Sequence, residues 1–367
     1  MAKKYKMMLG SALVGLFRRI SRQPLPAPAA IASENFRSIA IYSTTALGDL
    51  MFNTPAIHQL RLRYPQARLI LVVHRKFSSL VQGYSDVDQV ISWDGRFVTM
   101  FGCVRQLRRE RPELAVILHS RTPYDVVSAA FSGVSYILRD DPVTIGEEPP
   151  LAKWLSGWSV AGFTDHVIRR KLALLSLLGC SEDQTEMHAP CQVDRERFAQ
   201  ADRLRIGFQL GASTPERRWP VASFASLAES ILAARPDCQI VLMGVQQEAA
   251  LAEQLLALLP ERLHAAVSVM AGRTSIKEAF DLVASLALLV TGDTGPLHIA
   301  IALQVKTVSL FVTAKPHETG PCQDPALHTV IYRPLPEDAS EALKAEPMRH
   351  ISVETVFAAV QKALVAQ

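Results

Sequence analysis

The chain has 367 residues, of which 49% are hydrophobic and 20% charged, and its net charge is +4. This is more chain than one core commonly serves, so two domains are expected, and the charge is too mild for a nucleic-acid surface along the whole chain. The five cysteines, Cys103, Cys180, Cys191, Cys238 and Cys322, form no C-x-x-C pair, which argues against a disulfide framework or a zinc site and for reduced thiols.

The first segment is basic. Lys3, Lys4, Lys6, Arg18, Arg19 and Arg22 all precede the first acid, Glu34. Between them lies "MMLGSALVGLF", whose 11 residues are too short to span a bilayer. Three readings fit it: the core of a signal peptide ending at the "APA" of 27–29, a leader lying on an anionic membrane surface, or a disordered tail. "QPLPAPAAIAS" then reads as a linker, so residues 1–34 form a leader and linker.

From residue 38 short apolar runs alternate with helical patterns. "SIAIYST", "ARLILVV", "DQVISW" and "LAVILHS" read as strands. "LMFNTPAIHQLRLRY", "FSSLVQGY", "FVTMFGCVRQLRRERP" and "HVIRRKLALLSLLG" read as helical, the last stopped by Gly179. A second series begins near residue 204, with strands "LRIGFQL", "CQIVLMG", "AVSVMAG", "LALLVTG" and "TVSLFV", a sixth in "HTVIYR", and a terminal helix in "SVETVFAAVQKALVA". Near-continuous apolar strands separated by helices predict parallel sheets covered on both faces. The expected architecture is α/β, with two doubly wound domains at 35–195 and 196–367 and a cleft between them lined by the carboxyl ends of the strands.

Neither G-x-G-x-x-G nor G-x-x-x-x-G-K-[ST] occurs, which weighs against a standard dinucleotide or NTPase site. Chemistry is instead sought in the loops at strand ends. In "TGDTGPLH" at 291–298, Pro296 suits the first helical position, Thr294 or Gly295 caps it, and His298 falls in the first turn. Such a helix start favours an anion. Asp293 would repel a diphosphate, so it is expected to accept bonds from loop amides or a sugar hydroxyl. In "STTALGDL" at 43–50, Gly48 permits a tight or left-handed backbone. There Asp49 is either a helix-start acid or a general base for an acceptor hydroxyl. In "GASTPERRWP" at 211–220, Ser213 and Thr214 offer hydroxyls and Arg217 a guanidinium fork for phosphate. Glu248 either binds sugar hydroxyls or begins a helix, and "KPHETGPC" at 315–322 adds a Gly-Pro loop. "DVD" at 86–88 reads as a polar turn more readily than as a metal-binding pair. His119, Ser120, Arg121 and Arg139 lie near strand ends, where they either meet acidic groups of an acceptor or serve the structure.

"TALGDLMFNTPAIHQLRLRYPQARLILVV", "GASTPERRWP", "AGRTSIKEAFDLVASLALLVTGDTGPLHIAIAL" and "FVTAKPHETGP" together resemble glycosyltransferase family 9, the lipopolysaccharide heptosyltransferases, over roughly residues 38 to 363. The resemblance implies a GT-B fold, two Rossmann-like doubly wound domains facing a central cleft. It also implies metal-independent, inverting transfer of a heptose from ADP-heptose to a sugar hydroxyl of the lipopolysaccharide inner core. On that pattern Asp49 matches the catalytic base; Thr45, Gly48 and Arg121, at first-half strand ends, are expected toward the acceptor. Ser213, Thr214, Arg217, Glu248, Asp293, Thr294, Gly295, Pro296 and His298 fall on the donor side, Glu248 matching an acid that binds the nucleotide's ribose. Where the family often has Lys-x-Trp-Pro, this chain has Arg217-Arg218-Trp219-Pro220. No cofactor or metal is expected beyond the donor substrate, and no nucleic acid. The expected partner is a lipid-linked oligosaccharide at the cytoplasmic face of the inner membrane, reached through the basic leader. The alternatives are another GT-B sugar-nucleotide transferase or epimerase, or a non-catalytic sugar-nucleotide-binding module.

Overall fold

The computed structural model describes residues 2–21, 28–140, 151–159, 165–200 and 202–365. The chain divides into two compact units, Met1–Gln192 and Val193–Gln367. The first half of the expected linker, including Ala27 of the "APA" motif, lies outside the described residues.

The first unit is built on six parallel strands: β1 (Ser38–Ser43), β2 (Arg68–Val73), β3 (Gln89–Ser92), β4 (Leu114–His119), β5 (Tyr136–Arg139) and β6 (Gly157–Trp158). Their order is β3-β2-β1-β4-β5-β6. The helices are α1 (Ala2–Ser21), α2 (Leu47–Arg63), α3 (Phe97–Glu110), α4 (Tyr124–Ser132) and α5 (Val167–Ser176). β1 is buried at every position, as a central strand covered on both faces must be. The short β5 and β6 and the helix α4 escape the periodicity reading. "FSSLVQGY", read as helical, is instead one 3-10 turn at Arg75–Phe77 followed by turns.

The leader corrects the expectation of a disordered tail. α1 sends Met7 and Val14 into the same core as Tyr42, Trp93 and Val126. Gly10 lets it seat closely, since a Cβ there would lie 2.7 Å from Pro123. Trp154 donates to Ser11 Oγ at 2.9 Å, and Phe17 stacks on Phe131 with ring centroids 4.8 Å apart. Arg18 and Arg19 in its last turn complement the helix dipole. No helix among the described residues is long and apolar enough to cross a membrane.

The second unit repeats the plan. Its strands are β7 (Leu204–Gln209), β8 (Cys238–Met243), β9 (Val267–Val269), β10 (Leu288–Gly292), β11 (Lys306–Phe311) and β12 (His328–Tyr332), in the order β12-β11-β10-β7-β8-β9. Counted from its own first strand this is again 3-2-1-4-5-6, the doubly wound order. Its helices are α6 (Val221–Ala234), α7 (Ala249–Leu258), α8 (Ile276–Ala284), α9 (Gly295–Ala302), α10 (Pro316–Thr319), α11 (Glu341–Ala345) and α12 (Val353–Val365). Trp219, buried at the start of α6, packs on Phe224 and donates to the Ile351 carbonyl at 3.0 Å, tying the loop after β7 to the chain before α12.

In each sheet the strand order reverses beside the first strand: between β1 and β4, and between β7 and β10. A crevice opens there because consecutive crossovers leave on opposite faces, and ligands of doubly wound sheets bind at that point.

Candidate active site

At the first switch point the chain leaves β1 and reaches α2 within a few residues. The Thr44 amide extends the sheet by donating to the His119 carbonyl at 2.8 Å, and the β1–β4 register slips between Tyr42 and Ser43, which sets Ser43 opposite His119. Asp49 lies in the first turn of α2. One carboxylate oxygen, Oδ2, accepts the Ala46 amide at 3.0 Å, so the helix-start role is real. The other, Oδ1, lies 3.2 Å from His119 Nδ1. The Asp49 side chain keeps 24% of its exposure, enough to be reached from solvent.

The imidazole has an unusual background. Behind β4, the fully buried Lys171 donates to the Leu118 carbonyl at 2.6 Å and to Asp140 at 2.9 Å. Arg170 binds both Asp140 oxygens, at 2.8 and 3.0 Å. Burial alone would raise the Asp140 pKa, but Lys171 and Arg170 more than offset it and hold the carboxyl well below its usual range. Burial, and next the Lys171 ammonium, press His119 below its ordinary value despite Asp49 nearby. The imidazole beside Asp49 is therefore neutral at neutral pH.

The rest of the first set separates. Thr44 and Ser120 join hydroxyls at 2.6 Å. Thr45 has a buried hydroxyl with no protein partner among the described residues. Arg121 is exposed, its stem against the Gly95 backbone. Gly48 is corrected: it is an ordinary helical residue of α2, and the left-handed glycines lie elsewhere. Arg139 is structural, buried and bound to Asp125 at 3.0 Å. The "DVD" acids are engaged by protein groups, as a turn requires. Asp86 meets His58 at 3.1 Å, and Asp88 takes Arg61 at 2.6 Å and the Leu69 amide at 2.8 Å.

At the second switch point Asp293 leaves β10 and is nearly enclosed. Arg217, from the loop after β7, binds its Oδ2 directly. Thr319 donates to the same oxygen at 3.3 Å, and His298 Nε2 stands 3.6 Å from Oδ1. Burial raises the pKa of this carboxyl, but His298, Arg217 and Thr319 outweigh it and hold it below its usual value. Charged and hydroxyl side chains thus stand around Asp293 where loop amides were expected. His298 is buried in the first turn of α9.

α9 begins at Gly295, with Pro296 second rather than first. Thr294 is the N-cap, but its hydroxyl bonds the Thr291 hydroxyl at 2.8 Å and leaves the helix uncapped by any side chain. Pro296 has no N–H and the Leu297 amide bonds the Thr294 carbonyl at 3.1 Å, so the Gly295 amide and the positive end of the dipole are what this helix start offers an anion. Ser213 and Thr214 are exposed, with Ser213 Oγ 3.5 Å from Arg217 Nη1.

Glu248 sits at the end of the neighbouring β8. Its Oε2 accepts the Val245 amide at 3.0 Å and Gln209 Nε2 at 3.3 Å. The carboxylate lies on the backbone of Gly211, where a Cβ would fall 1.7 Å from Oε1. Only glycine at 211 leaves room for Glu248 against the end of β7. Sequence reasoning missed this contact and the Lys171–Asp140–Arg170 cluster, because the partners are far apart in the chain. Among the described residues no group of three His, Cys, Asp or Glu side chains is arranged to hold a metal.

Residues 156–344 match the model of glycosyltransferase family 9 (heptosyltransferase). The chain is 25% identical over 310 residues to lipooligosaccharide heptosyltransferase 2 of Haemophilus influenzae, covering 79% of this chain and 87% of that one. Among solved structures it is similar to ADP-heptose lps heptosyltransferase II of E. coli, with a TM-score of 0.73 at 21% identity, covering 89% and 98% of the two chains. It is also similar to E. coli heptosyltransferase WaaC solved with ADP, with a TM-score of 0.70 at 18% identity, covering 89% and 99%.

Proposed function

The chain belongs to glycosyltransferase family 9, the heptosyltransferases, and we propose that it moves a heptose from ADP-heptose to a sugar hydroxyl of the lipopolysaccharide inner core with inversion at the anomeric carbon. What supports the reading most is the contrast between the two switch points. One holds a reachable carboxylate beside a neutral imidazole. The other holds an uncapped helix start with an arginine at its edge. Proton removal and anion binding are the two tasks of such a transfer.

Asp49 takes the proton from the acceptor hydroxyl as its oxygen attacks the anomeric carbon. The bond from that carbon to the diphosphate breaks, and the electron pair leaves with ADP. Negative charge grows on the departing phosphate, where the Gly295 amide, the positive end of the α9 dipole and the Arg217 guanidinium stabilise it. Asp293 fixes Arg217 in place, and Ser213 and Thr214 reach the phosphate oxygens. Glu248 receives the ribose hydroxyls. His119 orients Asp49 through the contact at 3.2 Å. Thr45 and Arg121 face the acceptor. The acceptor is lipid-linked, so the enzyme works at the cytoplasmic face of the inner membrane.

The test is mass analysis of the lipopolysaccharide core from a strain lacking this protein, beside an assay of purified enzyme with ADP-heptose and that truncated core. The core should lack one heptose, and the enzyme should restore it with release of ADP. An intact core in the deletion strain would overturn the reading. Activity should persist in EDTA, and strict dependence on a metal would send the phosphate chemistry elsewhere.

A further inference from the structure

The free surface of the first unit carries an apolar ridge that its core does not use. α1 buries Met7, Gly10, Val14 and Arg18, and turns Tyr5, Met8, Leu9, Leu16 and Ile20 outward. These sit at helical spacing on one stripe, with Tyr5 70% and Ile20 73% exposed. α3, which packs on the same α4, exposes Phe97, Val98 and Phe101, with Val98 at 88%. The other large exposed hydrophobics among the described residues are scattered over other elements, which is ordinary for a soluble surface. Two neighbouring helices carrying more than half of them is not.

Between α1 and α3 runs a groove of about 470 Å³. Phe17 and Phe131 line it on one side and Phe101 and Val104 on the other, and Arg105, Arg108 and Arg109 surround it. Arg108 lies over the Phe17 ring and donates to the Phe131 carbonyl at 2.8 Å. Arg105 and Arg109 make no ion pair among the described residues and project from an exposed face. The charges have one sign. α1 contains Lys3, Lys4, Lys6, Arg18 and Arg19 and no acid. The one acid of α3, Glu110, is engaged by Arg68 at 2.6 Å.

We propose that α1 and α3 together form a membrane-docking face, with α1 lying in the plane of an anionic bilayer, its apolar stripe among the acyl chains and the arginines of α3 on lipid phosphates. Apolar and cationic side chains interleaved on one face, with no exposed acid, complement a bilayer of anionic headgroups. A second copy of this chain would present the same positive charge and repel it. Arginine suits the role because its fork binds phosphate oxygens in pairs while its stem lies along apolar surface. The inference rests on the proposed reaction for the source of the lipid, since a lipid-linked acceptor places the enzyme at such a surface.

The test centrifuges the full chain with vesicles of phosphatidylcholine alone and of phosphatidylcholine mixed with phosphatidylglycerol, at low and at high salt. The protein should pellet with the anionic vesicles and be released by salt. The double variants Leu16→Glu/Ile20→Glu and Phe97→Ser/Phe101→Ser should each weaken partitioning at least about tenfold, with an unchanged circular dichroism spectrum. Arg105→Glu/Arg109→Glu should remove most of the salt-sensitive part. Undiminished pelleting by these variants, or equal pelleting with neutral vesicles, overturns the proposal. So does a concentration-dependent dimer that the same variants dissociate, because the ridge would then belong to a second copy. Heptosyl transfer to a de-acylated, water-soluble acceptor is measured alongside. Pelleting without transfer would leave the face standing and sink the reaction, and transfer without pelleting would do the reverse.

Discussion

Asp49 and Asp293 both stand at a topological switch point, but the two units build the pair in opposite order. In the first, the acid follows the first strand of the sheet, and its basic partner, His119, ends the fourth. In the second, the acid follows the fourth strand, and its partner, Arg217, follows the first. The partners also differ in charge. His119 is neutral at neutral pH because burial and Lys171 depress it, whereas Arg217 is a permanent cation. A carboxylate facing a neutral imidazole keeps the capacity to take a proton. One clamped by a guanidinium, a hydroxyl and a second imidazole is already committed to holding its neighbours. On the proposed reaction, one sheet plan thus yields a base in one unit and an anchor in the other.

The largest test of this contrast is the pair of isosteric amides. Asp49→Asn should reduce turnover at least about 100-fold, on the scale of general-base catalysis, with ADP-heptose binding measured by calorimetry left near normal. Asp293→Asn should do the opposite. Freed of its charged partner, Arg217 loses its position, and donor KM should rise roughly tenfold or more while kcat moves less. If both variants lost turnover equally with unchanged KM, the division of labour would be wrong. Next in size is Gly211→Ala. Its methyl must push Glu248 off the end of β7, so donor affinity should fall about tenfold while turnover at saturation holds.

A smaller effect isolates His119. Its imidazole is neutral above its lowered pKa and becomes charged only as the medium turns acidic. Below that point imidazolium draws Asp49 into an ion pair and weakens it as a base. Wild-type turnover should therefore decline on the acid side, and His119→Gln should lose about fivefold at neutral pH and show no such limb. A limb that persists in the variant assigns the titration to another group.

The smallest prediction concerns the frame. His328 on β12 is buried, its Nδ1 3.0 Å from the Thr307 hydroxyl, and burial pushes it from 6.5 down to about 4. The unfolded chain takes up a proton near pH 6.5 that the folded chain refuses until near pH 4. The stability this contributes is complete above that window and is lost as pH falls through it, by up to about 3 kcal/mol. Melting of the second unit should be acid-sensitive over that range, and His328→Gln should flatten the dependence.

Much of this was legible in the sequence. Six-residue apolar runs such as "SIAIYS" announce central strands, and β1, β7 and β11 sit where those runs lie. β6, only Gly157 and Trp158, is too short to carry a period. α4 hides behind small residues and a buried Asp125. The loops with Asp49 and Asp293 stand out because polar residues and glycines interrupt apolar runs. Their partners do not stand out, because contact follows strand order and strand order is not written locally. Arg217 and Asp293 are 76 residues apart. The leader misleads for the same reason: Gly10 and Gly15 lower its helix propensity, and what repays the cost is packing on distant residues.

That packing has a consequence for synthesis. Ser11 waits for Trp154, which is 143 residues further along the chain. At roughly 5–20 residues per second, translation needs on the order of ten seconds to supply that partner. Until α4 follows, the inner face of α1, with Met7 and Val14, lacks the helix it packs on, while its outer face is already what it will remain. Ribosome-bound chains stopped before α4 should therefore offer both faces of this cationic helix to proteases, chaperones and lipid, and chains stopped beyond Trp158 only one.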